Sequence, residues 1–301
     1  MLAAILTTLL FSVSAICGRR VSHFLSGTLA NLWRLMFAAT LLGLWSHLFG
    51  FGIHGRAFPV LFLSGCVGFG FGDLAMFQAY RRIGARRTIV IIQCLAAPFG
   101  TVAEWLWLGH APTLAQAAYG AVILAGVSIA LLPPKTGARI DRGVGAGICF
   151  GILAAVGQAA GAVLSRKAYA IAVTAGEAFH PTVADGVNAA YQRMLGGIAV
   201  SLCFLLYLKM VHTRAEPAMT DWKRGWPWLI GHALTGPAAG VTCYQWALIL
   251  QPANIVLPIV ATTPLAVLPL AHFFEGERVT RRAVLGGAIA VAGVIGLAQV
   301  K

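Results

Sequence analysis

Apolar residues in this chain come in long unbroken blocks, with polar residues confined to short stretches between them. The blocks cover 2–17, 28–50, 59–80, 88–108, 114–133, 143–165, 187–208, 226–250, 254–274 and 283–299. Most are near the roughly 20 residues that cross a bilayer's hydrocarbon core as one helix. Lipid offers no partner to backbone N–H and C=O groups, so spanning segments are helices or closed barrels. Continuous runs without strand-like alternation exclude the barrel. The pattern therefore predicts an all-α polytopic membrane protein of ten transmembrane helices, without a soluble domain. The first block lacks a basic region ahead of it and has a counterpart later in the chain, so it is expected to be a span and not a cleaved leader.

Comparing the chain with itself reveals a repeat. Gly120, Gly126 and Val127 answer Gly287, Gly293 and Val294, and Pro98 in the fourth block answers Pro264 in the ninth. Pro59, Gly68, Gly72 and Ala79 align without a gap on Pro227, Gly236, Gly240 and Ala247. Arg19 and Arg20 match Arg166 and Lys167, and Arg34 matches Arg193. The predicted units are residues 1–134, a polar linker at 135–142, and residues 143–301. Five spans per half is an odd number, so the second half enters the membrane inverted. Inverted repeats are an architecture of secondary transporters, in which one half rocks against the other.

Composition sharpens this picture. Of 301 residues, 59% are hydrophobic and only 10% charged, against about a quarter charged in soluble proteins. Lys and Arg outnumber Asp and Glu by 22 to 9, but the basic residues sit between apolar blocks, where lipid head groups are the expected partner and nucleic acid is not. They crowd the face bearing loops 1–2, 3–4, 5–6, 7–8 and 9–10, here face A. The opposite face, B, carries Arg56, Arg166, Lys167 and Lys301. The positive-inside rule puts face A in the cytoplasm and both termini outside. The six cysteines show no ligand spacing, so no metal site is expected.

Ionisable residues inside spans are costly and functional by default. Arg34, Asp73, Glu104, Arg193, His232 and His272 qualify. At about 1.5 Å of rise per residue, Arg34 and Asp73 both lie about 10 Å below face A, and Glu104 and Arg193 about as far from face B. The pairs Arg34–Asp73 and Glu104–Arg193 are thus expected by depth, and either carboxylate is a candidate proton carrier. His232, Gly236, Gly240 and Tyr244 form a stripe along the eighth helix that suits either a ligand or helix packing. Gln78, Gln93 and Gln158 add neutral donors and acceptors. Pro98 and Pro264 are candidate kinks that line a cavity or act as hinges. Gly68, Gly70 and Gly72 follow no strand, so they are expected to pack helices, not to cradle phosphate. No catalytic motif is present, and no enzyme is expected.

The proline followed by Gly276, Glu277, Arg278, Val279 and Thr280 and then by Gly287, Gly293 and Val294 resembles the EamA type of the drug/metabolite transporter superfamily. In the first half Gly109-His110 stands where that family has Gly-Glu. The resemblance implies export of a small polar metabolite, amino acids foremost, across the cytoplasmic (inner) membrane. It also places an arginine in the second helix of each half, here Arg34 and Arg193, and implies cytoplasmic termini, against the charge count. No cofactor is expected, with protons as the candidate coupling ion, and the chain is expected to be a monomer or homodimer. A flippase for a lipid-linked phosphate or sugar and a non-transporting scaffold are the alternatives.

Overall fold

The computed structural model describes residues 1–21, 24–25, 27–131, 143–177, 181–211, 222–275 and 280–300. The expected linker at 135–142 and the motif residues Gly276, Glu277, Arg278 and Val279 lie outside them. Ten apolar spans form as helices: α1 (Leu2–Val21), α2 (Gly27–Phe49), α3 (Phe58–Gly84), α4 (Arg87–Leu108), α5 (Leu114–Leu131), α6 (Val144–Thr174), α7 (Val183–Val211), α8 (residues 222–250), α9 (residues 253–275) and α10 (Arg281–Gln299). Among the described residues no strand occurs.

Two spans run well past their apolar blocks. α1 takes in Arg19 and Arg20, and α6 continues nine residues beyond the expected end at 165 to reach Thr174. Arg166 and Lys167 are therefore helical, not loop residues. A charge ends an apolar block in the sequence, but the helix continues because Arg166 finds acceptors inside the protein. Between α3 and α4 the chain turns at Gly84, whose φ of 77° belongs to the left-handed region that favours glycine.

The two halves exchange their first helices. α1 packs on α8 and α9 of the second half, and α6 packs on α3 and α4 of the first. α2 pairs with α7, and α5 with α10, so like meets like across the pseudo-two-fold axis. Small residues make these approaches feasible. A Cβ on Gly157 of α6 would come within 2.9 Å of the Gly72 Cα in α3, and one on Gly126 of α5 within 2.5 Å of the Ala290 backbone nitrogen in α10.

α3 and α8 carry the same local irregularity. Each contains a π-helical turn, at Cys66–Gly72 and Leu234–Ala238, where the backbone bonds span five residues: Asp73 N–H donates to Gly68 and Ala239 N–H to Leu234. Such insertions are frequent at functional sites. Both sit at equivalent repeat positions, on the glycines that face the exchanged helix.

α4 and α9 differ despite their matched prolines. α4 passes through Pro98 without interruption, whereas α9 breaks into Ala253–Val260 and Thr263–Glu275 just ahead of Pro264. Proline has no N–H for the Val260 carbonyl, and the Thr263 hydroxyl donates to that oxygen at 2.6 Å. From α1, Thr8 donates to the Ile259 carbonyl at 3.2 Å and Ser12 to the Thr263 carbonyl at 3.1 Å. In the other half the positions of Thr8 and Ser12 are taken by Ala155 and Ala159, which offer nothing to α4.

Candidate functional site

Two polar groups lie among the helices, one around each of the matched arginines. The first joins α1, α2, α3 and α8. Arg34 Nη2 reaches Asp73 Oδ2 at 2.9 Å, its Nε donates to Asn31 Oδ1 at 2.8 Å, and Nη1 lies 3.4 Å from His232 Nε2. His232 Nδ1 in turn lies 2.8 Å from the Ser14 hydroxyl of α1. The ion pair expected from depth is present, and its guanidinium is held by a carboxylate, an amide and an imidazole.

The second group joins α3, α6, α7 and α8 and, among the described residues, brings no carboxylate within hydrogen-bond reach of its arginine. Arg193 is 3% exposed, yet its Nε and Nη1 have no hydrogen-bond partner. The guanidinium carbon stands 5.0 Å from the ring centre of Phe69 and 6.0 Å from that of Tyr244. Its Nη2 fills space left by two glycines, since a Cβ on Gly68 or Gly161 would come within 3.1 or 3.2 Å of it. The Tyr244 hydroxyl and Gln245 Nε2 are likewise buried without a partner. Tyr169 of α6 donates to Gln245 Oε1. The residue that aligns with Asp73 in the second half is Val241.

The expected Glu104–Arg193 pair does not form. Glu104 Oε1 instead takes Arg166 Nε at 3.0 Å, and Oε2 accepts the Ala253 N–H at the start of α9. Arg166 Nη1 also donates to the Leu248 carbonyl at 2.8 Å, so one ion pair ties together α4, α6, α8 and α9 near face B. Glu104 and Arg193 thus meet different neighbours, Arg166 for the one and the Phe69 and Tyr244 rings for the other.

The α8 stripe packs against α1 from His232 to Gly240, where a Cβ on either glycine would meet an α1 side chain. His232 and Gly236 meet Ser14, Gly240 meets the Phe11 ring, and the Tyr244 ring lies tilted against Phe11, their centres 6.4 Å apart. Gln78 is bound to Arg82 at 2.6 Å at the face-A end of α3, while Gln93 and Gln158 are half-buried on α4 and α6 outside both arginine groups. Pro98 and Pro264 likewise lie outside them. Sequence reasoning missed Arg166 and Tyr169, both beyond the apparent end of the sixth block; the uninterrupted Ala-rich run after Lys167 was the signal that the helix continues.

Packing is tighter toward face B. Residues 253–261 of α9 are all buried, whereas 264–268 are half-buried, as are 74–78 of α3 at the same end of the molecule. On face B a shallow cleft lies between the α2–α3 loop, α6 and α7, lined by His54, Tyr169, Glu177, Asp185, Asn188 and Gln192. The loop is fastened there by Gln192 Nε2, which donates to the Gly52 carbonyl at 2.8 Å, and by Phe51 N–H, which donates to Asn188 Oδ1 at 3.1 Å.

The pattern of the EamA-like transporter family matches residues 1–132 and again residues 145–299. The chain belongs to the EamA-like transporter family. It is thus a multi-pass membrane protein of the drug/metabolite transporter superfamily, with two inverted five-helix repeats. A solved structure titled only "Crystal structure of protein" is similar over 99% of this EamA-like chain and 95% of its own, with 15% identity and a TM-score of 0.74, a likeness of fold. No curated relative matches the sequence.

Proposed function

We propose that this EamA-like protein is a secondary transporter that moves a small polar metabolite across the cytoplasmic (inner) membrane by alternating access, in the direction of export. The observation that carries the reading is the placement of both arginine groups where the two halves meet. Arg34 of the first half lies beside His232 of the second, and Arg193 of the second lies over Phe69 of the first. A rocking of one half against the other remakes these contacts and exposes them to alternate faces. The Glu104–Arg166 tie, which bridges the halves near face B, belongs to the conformer closed on that side.

No cofactor enters this scheme. Asp73, between Arg34 and the more distant Arg193, is the proposed carrier of a coupling proton, since a carboxylate that releases one guanidinium must be neutralised to remain in the interior. The repeat units 1–134 and 143–301, with α1 and α6 exchanged between them, are the proposed moving bodies.

Counterflow in proteoliposomes preloaded with pooled amino acids, amines, nucleosides or sugar phosphates tests the function. Labelled solute should accumulate with one pool. Absence of exchange with every pool, from folded protein, would end the small-metabolite reading in favour of lipid flipping, to be measured with a lipid-linked phosphate.

A further inference from the structure

The two arginines are repeat mates in unequal states. Arg34 has a carboxylate at 2.9 Å; Arg193 is more deeply buried and, among the described residues, has none within hydrogen-bond reach, Asp73 acting on it only from farther off while bound to Arg34. The difference follows from one aligned position, Asp73 in α3 against Val241 in α8. Val241 packs in the same buried cluster as Met194, the neighbour of Arg193. Asp185 lies on the same side of α7 as Arg193, but two turns away, about 12 Å by helical rise. Phe69 and Tyr244 give the guanidinium only their ring faces, which are worth far less than a carboxylate.

From this asymmetry we propose that Arg193 anchors the carboxylate of the transported solute, which stands for Arg193 where Asp73 stands for Arg34. The inference rests on the transporter reading and narrows its substrate to carboxylate-bearing solutes. Tyr244 and Gln245 supply the remaining polar contacts, each with a buried group awaiting a partner. A single monoanion neutralises this site. A phosphate dianion would call for a second cation, and Arg34 is already engaged by Asp73, Asn31 and His232. Bound solute would also compensate a charge otherwise buried alone, so ligand and fold are energetically coupled.

The test compares wild type, Arg193→Gln, Arg34→Gln, Val241→Asp and Val241→Asn as purified protein. Ligand-free, Arg34→Gln should lower the unfolding temperature because it strands Asp73. Arg193→Gln should hold or raise it because it removes an uncompensated charge. Val241→Asp should raise it relative to Val241→Asn by supplying the missing carboxylate. In counterflow, solutes that exchange should carry a carboxylate, their amides should not exchange, and Arg193→Gln should cut exchange by about 10- to 100-fold, the cost of a hydrogen bond to a charged group. If Arg193→Gln lowers the unfolding temperature as much as Arg34→Gln, or exchanges at the wild-type rate, the assignment is overturned while the transporter reading stands. Exchange of amines, or of phosphates alone, overturns it equally. If no solute is exchanged, the transporter reading fails; the ligand-free ranking of the five proteins still decides whether Arg193 lacks an internal partner.

Discussion

Glu104 and Arg166 meet at 3.0 Å in the interior, on α4 of one half and α6 of the other. Neither side chain is isolated: the carboxylate also receives the Ala253 N–H, and the guanidinium reaches the Leu248 carbonyl. Four helices therefore depend on one pair, and Glu104→Gln should cost about 3–5 kcal/mol because it leaves Arg166 buried beside a neutral group. Thermal or denaturant unfolding in detergent measures the loss. A loss well under 1 kcal/mol would mean that the pair is held by the helices and not the reverse.

The close approach of α5 and α10 separates two glycines of similar sequence context. A Cβ at Gly126 meets the α10 backbone, whereas one at Gly287 meets nothing within 4 Å. Gly126→Ala should lower stability by about 1–3 kcal/mol through overpacking. Gly287→Ala should raise it by up to about 1 kcal/mol, as alanine is the better helix former. Equal effects in unfolding experiments would contradict this helix pairing.

Removing the α1 hydroxyls should loosen the break in α9. The Thr8→Val, Ser12→Ala double variant gives up two inter-helix hydrogen bonds, each worth about 0.6 kcal/mol in a membrane interior. Hydrogen exchange at residues 259–263 should rise selectively, with little change in α4, whose path through Pro98 uses no such support. A uniform rise over both helices would speak against the assignment.

Asp73→Asn should abolish uptake driven by a pH gradient while leaving solute exchange measurable, given the proposed role of this carboxylate in coupling. Transport assays with and without an imposed gradient separate the two. Unchanged gradient-driven uptake in the variant would remove Asp73 from the coupling step.

Much of the fold was legible because a bilayer leaves few solutions: blocks of spanning length must be helices, and an odd number per repeat must invert the second half. The Arg34–Asp73 pair was legible for the same reason, since both side chains lie at one depth in adjoining spans. Depth along a helix says nothing of direction around it, and there the reasoning failed: Glu104 turns to Arg166 and leaves Arg193 alone. Arg166 itself was hidden because a charged residue looks like the end of a span unless its buried partner is known. The stripe of His232, Gly236, Gly240 and Tyr244 was visible, but only the packing of α1 against it decides between a wall and a binding surface. The π-helical turns left no periodic signature, apart from the glycines that accommodate them.

The exchange of α1 and α6 has a consequence for how this chain is made. α1 leaves the ribosome before α8 and α9, the surfaces that bury its hydroxyls. Until then Thr7, Thr8, Ser12 and Ser14 can satisfy themselves only within their own helix, as Thr7 does through the Ala3 carbonyl. The nascent first half is thus a set of inserted helices awaiting its mate, and α1 reaches its final packing only after α8 and α9 have followed it into the membrane.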